Sequence, residues 1–168
     1  MTELSAQEIT DYEIWPCIIL SDVVESINAS HKMIVQWAKD NGLPEVCIAE
    51  DDLMFTAPGA WKYFLSKKPK FFNLYLAGCY SPIKHGWDED QYSYTLEPVG
   101  FHCYIIHERY YDTFLATPSN LHIDTAQKTI GIKVCYPMAA LQRPGFSANN
   151  RCYQDYNSIL KPEHIYIG

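Results

Sequence analysis

Val46-Cys47-Ile48-Ala49-Glu50-Asp51-Asp52 decides how this chain is read: a short apolar run passes directly into three acids. Apolar residues of this kind over so few positions predict a strand buried on both faces. The acids stand at its carboxyl end, and in open α/β sheets the ligand crevice lies outside the carboxyl ends of strands. If the backbone stays extended, side chains alternate, so Glu50 and Asp52 share one direction and Asp51 takes the other. Two carboxylates then converge on one hard cation, which relieves the repulsion among three adjacent acids. The same residues also suit a solvated loop that caps the next helix, with Asp51 or Asp52 favoured by the helix dipole.

Upstream, Ile27, Ile34, Trp37 and Ala38 recur near helical spacing, with Ser26 or Asn28 as the start and Asn41-Gly42 as a left-handed stop. Residues 13–20 read as a short buried strand interrupted by Pro16. Downstream, a helix is predicted over 58–66, with Pro58 in its first turn, and a strand over 71–77. Residues 78–97 contain Pro82, Gly86 and the acids Asp88, Glu89 and Asp90, and read as a long loop of the lid type. A strand at 102–106, a helix at 108–115, a helix beginning near Asp124 and a strand around 134–141 follow. The tail after Gln142 reads as loop. This alternation predicts a three-layer α/β/α class, with a mainly parallel central sheet and helices on both faces.

The chain has 168 residues, a length that fits a single domain. Residues 1–12 read as flexible and 151–168 as a tail. A formal charge of −7 argues against a nucleic-acid partner, because that affinity rests on Lys and Arg displacing counterions. The same acidity repels a diphosphate unless a cation stands between them. The six cysteines form no C-x-x-C pair and sit mostly in apolar runs, so buried reduced thiols are expected. The first twelve residues lack a secretory pattern, and the longest apolar run is far short of the ~20 residues that span a bilayer. A cytoplasmic protein without a transmembrane segment is expected.

Asn28-Ala29-Ser30-His31-Lys32, Ile34-Val35-Gln36-Trp37-Ala38 and Val46 through Asp52 together resemble glycosyltransferase family 25, which includes lipopolysaccharide-type and procollagen galactosyltransferase-like enzymes. Phe72-Asn73-Leu74-Tyr75-Leu76-Ala77-Gly78, Tyr104-Ile105-Ile106, His122-Ile123-Asp124 and Gln142 through Ser147 continue the likeness in the same order. The likeness covers roughly residues 14–150. It implies a GT-A-like fold, truncated because nothing before Ile14 is similar to the family's usual nucleotide-binding strand.

By that resemblance Glu50 and Asp52 hold Mn²⁺ or Mg²⁺, and Asp51, His31 and Ser30 serve the donor, a nucleotide sugar of the UDP-hexose type. Asp124 is implied as the base that deprotonates a glycan or other hydroxyl acceptor, with inversion. Its other reading is a plain helix N-cap. Trp87, Gln142 and Ser147 are implied on the acceptor or lid side. The implied activity is metal-dependent hexose transfer in surface-polysaccharide synthesis. Two alternatives remain: a catalytically inactive relative that binds a glycan or partner, and a metal-dependent hydrolase built on the same carboxylates.

Overall fold

The computed structural model describes residues 3–85, 93–127, 132–147 and 149–168. In chain order its elements are helix α1 (Glu3–Ala6), helix α2 (Val23–Asp40), strands β1 (Glu45–Ala49) and β2 (Leu53–Phe55), and helix α3 (Ala60–Ser66). Strands β3 (Leu74–Leu76), β4 (Lys84–His85), β5 (Ser93–Tyr94) and β6 (Cys103–His107) come next, then helix α4 (Tyr111–Leu115). Strands β7 (Ile132–Val134), β8 (Ala140–Gln142), β9 (Gly145–Ser147) and β10 (Cys152–Gln154) complete the series.

Six strands form one sheet in the order β1-β6-β3-β7-β5-β4. Only the β3–β7 pair is parallel; the other four neighbouring pairs are antiparallel. The class is mixed α/β, and the expectation of a mainly parallel sheet is corrected. The cause is β6, which returns antiparallel between β1 and β3 and so separates two strands that run the same way. The residues of β6 from Cys103 to Ile106 are all buried because both faces of the sheet are covered. Tyr104 and Ile106 pack with Val35 and Ala38 of α2 and Phe114 of α4. Cys103 and Ile105 pack with Phe55, Ala60 and Phe64 on the other side, where β2 and β8 add a two-stranded sheet to α3.

The helix expected before the acidic run is α2, but its cap is Asp22, whose Oδ1 accepts the Glu25 N–H at 3.1 Å. Ser26 and Asn28 lie inside the helix. Gly42 supplies the expected left-handed stop at φ 64°. Residues 13–20 form no strand. Pro16 lacks a donor, and the Ile18 and Leu20 N–H groups bond to Ser30 Oγ and Ser26 Oγ on α2. Ile14 and Ile19 are left 87% and 88% exposed.

The first helical position after Pro58 is Ala60, because Gly59 takes a left-handed conformation at φ 79°. The strand expected at 134–141 is two strands, β7 and β8, separated around Pro137, which cannot donate to a ladder. Among the described residues no helix begins at Asp124, and those after Gln127 that the expected helix would include lie outside them; residues 122–127 make one turn, held by bonds from Ala126 N–H to His122 O and Gln127 N–H to Asp124 O. The tail is more ordered than expected, since β9 and β10 pair as an antiparallel hairpin. At the other end, Gln7 is buried and bonded to Ala57 O and Trp61 N–H, so α1 is anchored. Cys79, Cys103 and Cys135 are buried, whereas Cys17, Cys47 and Cys152 are exposed; all six are free thiols. Among the described residues, no helix is long and apolar enough to cross a membrane.

Candidate functional site

Beyond the end of β1 the chain does not stay extended. The Leu53 N–H donates to Glu50 O at 3.2 Å, so Glu50 through Leu53 form a turn that hands the chain from the main sheet to β2. The alternation expected for the three acids is therefore corrected. Glu50 faces inward, Asp51 is exposed, and Asp52 is half-buried against β8.

An open pocket of about 150 Å³ lies beside this turn. Glu50, Asp124, Gln142 and Ser147 all line it, with Tyr80 and Tyr156. Four residues singled out from separate parts of the sequence thus meet at one place. Ile27 of α2 and Gly100 complete its apolar side.

Glu50 is held from below. Its Oε1 lies 3.2 Å from His31 Nε2, and His31 Nδ1 lies 2.8 Å from the Tyr104 hydroxyl. Burial, then the charges of Glu50, Cys47 and Asp124, push the Tyr104 phenol well above its ordinary value. That phenol keeps its proton, and His31 Nε2 presents its hydrogen to Glu50, which as a carboxylate can only accept. Burial pushes the Glu50 carboxyl up, but the His31 hydrogen bond and the charges of His31 and His102 outweigh it, and the net shift is downward. Glu50 is thereby kept as an anion facing the pocket.

Asp52 has the opposite balance. Its Oδ2 accepts from Gln142 Nε2 at 2.5 Å, while Oδ1 is buried with no partner. Burial raises its carboxyl; the Gln142 bond opposes this, and the charges of Glu50 and Asp51 add to the rise. Gln142 is itself fixed by its backbone: its N–H donates to the Tyr80 oxygen at 2.7 Å and its carbonyl accepts from Asn157 Nδ2 at 3.0 Å. The Tyr80 hydroxyl donates to Asn157 Oδ1 at 2.9 Å, which closes the ring of bonds. Burial pushes the Tyr80 phenol up to about 12, so it remains a donor at neutral pH.

Asp124 reaches the same pocket from the turn at 122–127. Its Oδ2 accepts the Gly100 N–H at 2.9 Å and its Oδ1 accepts the Thr125 N–H at 2.7 Å. Each oxygen keeps a further lone pair for a ligand. Gly100 sits at φ 89°, and a Cβ there would come within 3.0 Å of the Tyr80 ring and 3.3 Å of His102 Nδ1. Glycine is required by both conformation and space.

Not every predicted residue joins the site. The Ser30 Oγ accepts the Ile18 N–H and donates to Ser26 O, and Ser30 does not line the pocket. His31 is buried behind Glu50 and acts through it. Asp51 is exposed and does not line the pocket. Trp87 lies outside the described residues. Sequence reading missed Tyr80, Tyr104, Gly100 and Asn157, because aromatic, glycine and amide residues carry no spacing signal of their own. No family model matches the chain, and no curated protein matches it.

Proposed function

We propose that the chain is a divalent-cation-dependent glycosyltransferase of a GT-A-like type. It would move a hexose from a UDP-hexose to a hydroxyl of a glycan acceptor, with inversion. The observation that carries this reading is the meeting of Glu50, Asp124, Gln142 and Ser147 around one pocket. Glu50 and Asp52 would hold Mn²⁺ or Mg²⁺. The partnerless Oδ1 of Asp52 is the kind of buried anionic oxygen that a hard cation satisfies. Among the described residues no three His, Cys, Asp or Glu side chains gather as a metal cage. Glu50 and Asp52 would supply the one or two carboxylates that Mg²⁺ usually takes from a protein. When bound, the ion stabilises a departing diphosphate.

The protein's own groups supply the rest. Asp124 takes the proton from the acceptor hydroxyl as that oxygen attacks the sugar carbon. Its two backbone N–H bonds fix the direction in which the carboxylate points. His31 and Tyr104 orient Glu50, and Gln142 orients Asp52. A pocket of about 150 Å³ is smaller than the ~300–1,000 Å³ of ordinary ligand sites. It suits the reacting sugar, with the nucleotide running outward over the surface.

Thermal shift with UDP-glucose and UDP-galactose, with and without Mn²⁺, tests the reading. Saturation near 100 Kd adds about 2.7 kcal/mol, or roughly 5–11 °C for a chain of this size. The expected shift needs nucleotide sugar and cation together; no shift with any combination overturns the proposal. The small pocket favours one second reading, a glycan-binding module without transfer activity. Glycan binding with no response to either nucleotide sugar would select it.

A further inference from the structure

We propose that the β9–β10 hairpin carries an aromatic platform for a carbohydrate chain, formed by Phe146 and Tyr153. The two residues are direct partners across the antiparallel pair. Side chains at such positions stand on one face with Cβ atoms ~4.5–5.5 Å apart. Phe146 is 73% and Tyr153 70% exposed, although rings of this size are ordinarily among the most buried side chains. The hairpin leaves most of each ring open to solvent.

The chemistry around the rings selects the occupant. Arg151 and Asp155, both exposed, stand two residues to either side of Tyr153 and offer a donor and an acceptor. Flat apolar faces flanked by hydrogen-bonding groups match a sugar ring, whose C–H faces are apolar and whose hydroxyls lie at its rim. Two rings present at most ~300–500 Å², against the ~800 Å² per partner of a stable protein interface, so a second protein is a poor fit. The formal charge of −7 disfavours an anionic lipid surface.

The same hairpin also borders the pocket. Ser147, next to Phe146 in β9, lines the pocket, as does Asn149 in the turn. Alternation places Phe146 and Ser147 on opposite faces of the ribbon. A chain occupying both places must therefore pass over the ribbon's edge, so the platform serves an extended acceptor and not a single sugar. That role as acceptor subsite rests on the proposed transfer activity; the binding of glycan by the two rings does not.

The test measures saturation-transfer NMR binding of maltopentaose, cellopentaose and a β-1,4-galactopentaose, with glucose and galactose as single-sugar controls. The proteins are the full chain and its F146A, Y153A and double variants. The wild type is expected to bind at least one pentaose. Each single variant should bind more weakly, and the double variant by about tenfold or more. Melting temperature should be unchanged, because the rings are exposed. Failure of the wild type to bind any pentaose, or equal binding by the double variant, overturns the platform. The UDP-hexose and Mn²⁺ thermal shift is run on the same proteins and is expected to survive in the double variant. Its absence from the wild type with ring-dependent pentaose binding intact would remove the transferase reading alone.

Discussion

His31 joins a phenol to a carboxylate, and the two acids beyond it, Glu50 and Asp52, are shifted in opposite directions. The Glu50 carboxyl is held below its ordinary value of 4.5. A lowered carboxyl stabilises the fold above its unfolded value, and that contribution is lost as pH falls through the folded value. Glu50→Gln keeps an acceptor for His31 but removes the charge, and should cost about 1 kcal/mol at neutral pH. Urea unfolding from about pH 7 down to 3 should show the variant losing less stability on acidification than the wild type. Asp52 is raised instead, so its contribution is present below its ordinary value of 3.8 and is lost as pH rises through the folded value. Asp52→Asn should therefore raise the melting temperature at neutral pH, by roughly 2–4 °C for about 1 kcal/mol. The same variant should abolish cation-dependent donor binding. A fall in melting temperature, or retained donor binding, would contradict this account of Asp52.

At the level of elements, the site depends on how closely β3 and β8 approach. Gly78, just after β3, packs its backbone against Ala140 of β8; a Cβ there would lie 2.0 Å from the Ala140 carbonyl oxygen. Backbone cannot yield as a flexible side chain does, so Gly78→Ala should cost ~3 kcal/mol or more. Circular-dichroism melting should show a fall of roughly 6–12 °C or loss of soluble protein. The paired positions of β8 also carry Gln142, so the damage should extend to the Asp52 contact. Those elements with strong local patterns were legible in the sequence: α2 by its spacing and Gly42 stop, β3 and β6 by continuous apolar runs; β1 was placed by the same signal, but as an edge strand it buries Ile48 and leaves Cys47 and Ala49 exposed, so the expectation of burial on both faces is corrected. The ones that were not depend on distant partners. β2 is an ordinary three-residue strand only because β8 returns beside it, and β9 is recognisable only once β10 is paired with it. In the opposite direction, residues 13–20 look like a strand by composition, yet the hydroxyls of Ser26 and Ser30 capture two of their backbone donors. The acids were legible as a group, but the turn that separates Asp51 from its neighbours follows from the change of sheet after Glu50.

At the scale of the whole molecule, charge governs how a diphosphate could be held at all. The chain carries 20 acids against 13 Lys and Arg, a formal −7. A nucleotide sugar approaching the Glu50 end of the sheet meets like charge on average, and the repulsion reaches about one Debye length, ~10 Å at 0.1 M salt. Without a divalent ion, added KCl should therefore leave the affinity for UDP unchanged or raise it slightly by screening. A protein that grips phosphates with its own cations would behave in the opposite way, losing affinity steeply as salt rises. With Mn²⁺ present, the affinity should increase by at least about tenfold, or 1.4 kcal/mol, and should then fall with KCl as the cation-mediated attraction is screened. Isothermal titration of UDP at about 20 and 200 mM KCl, with and without Mn²⁺ and again after EDTA, separates the cases. Tight UDP binding in EDTA that weakens with salt would mean that direct cationic contacts hold the phosphates, and the carboxylates at Glu50 and Asp52 would lose their assigned part.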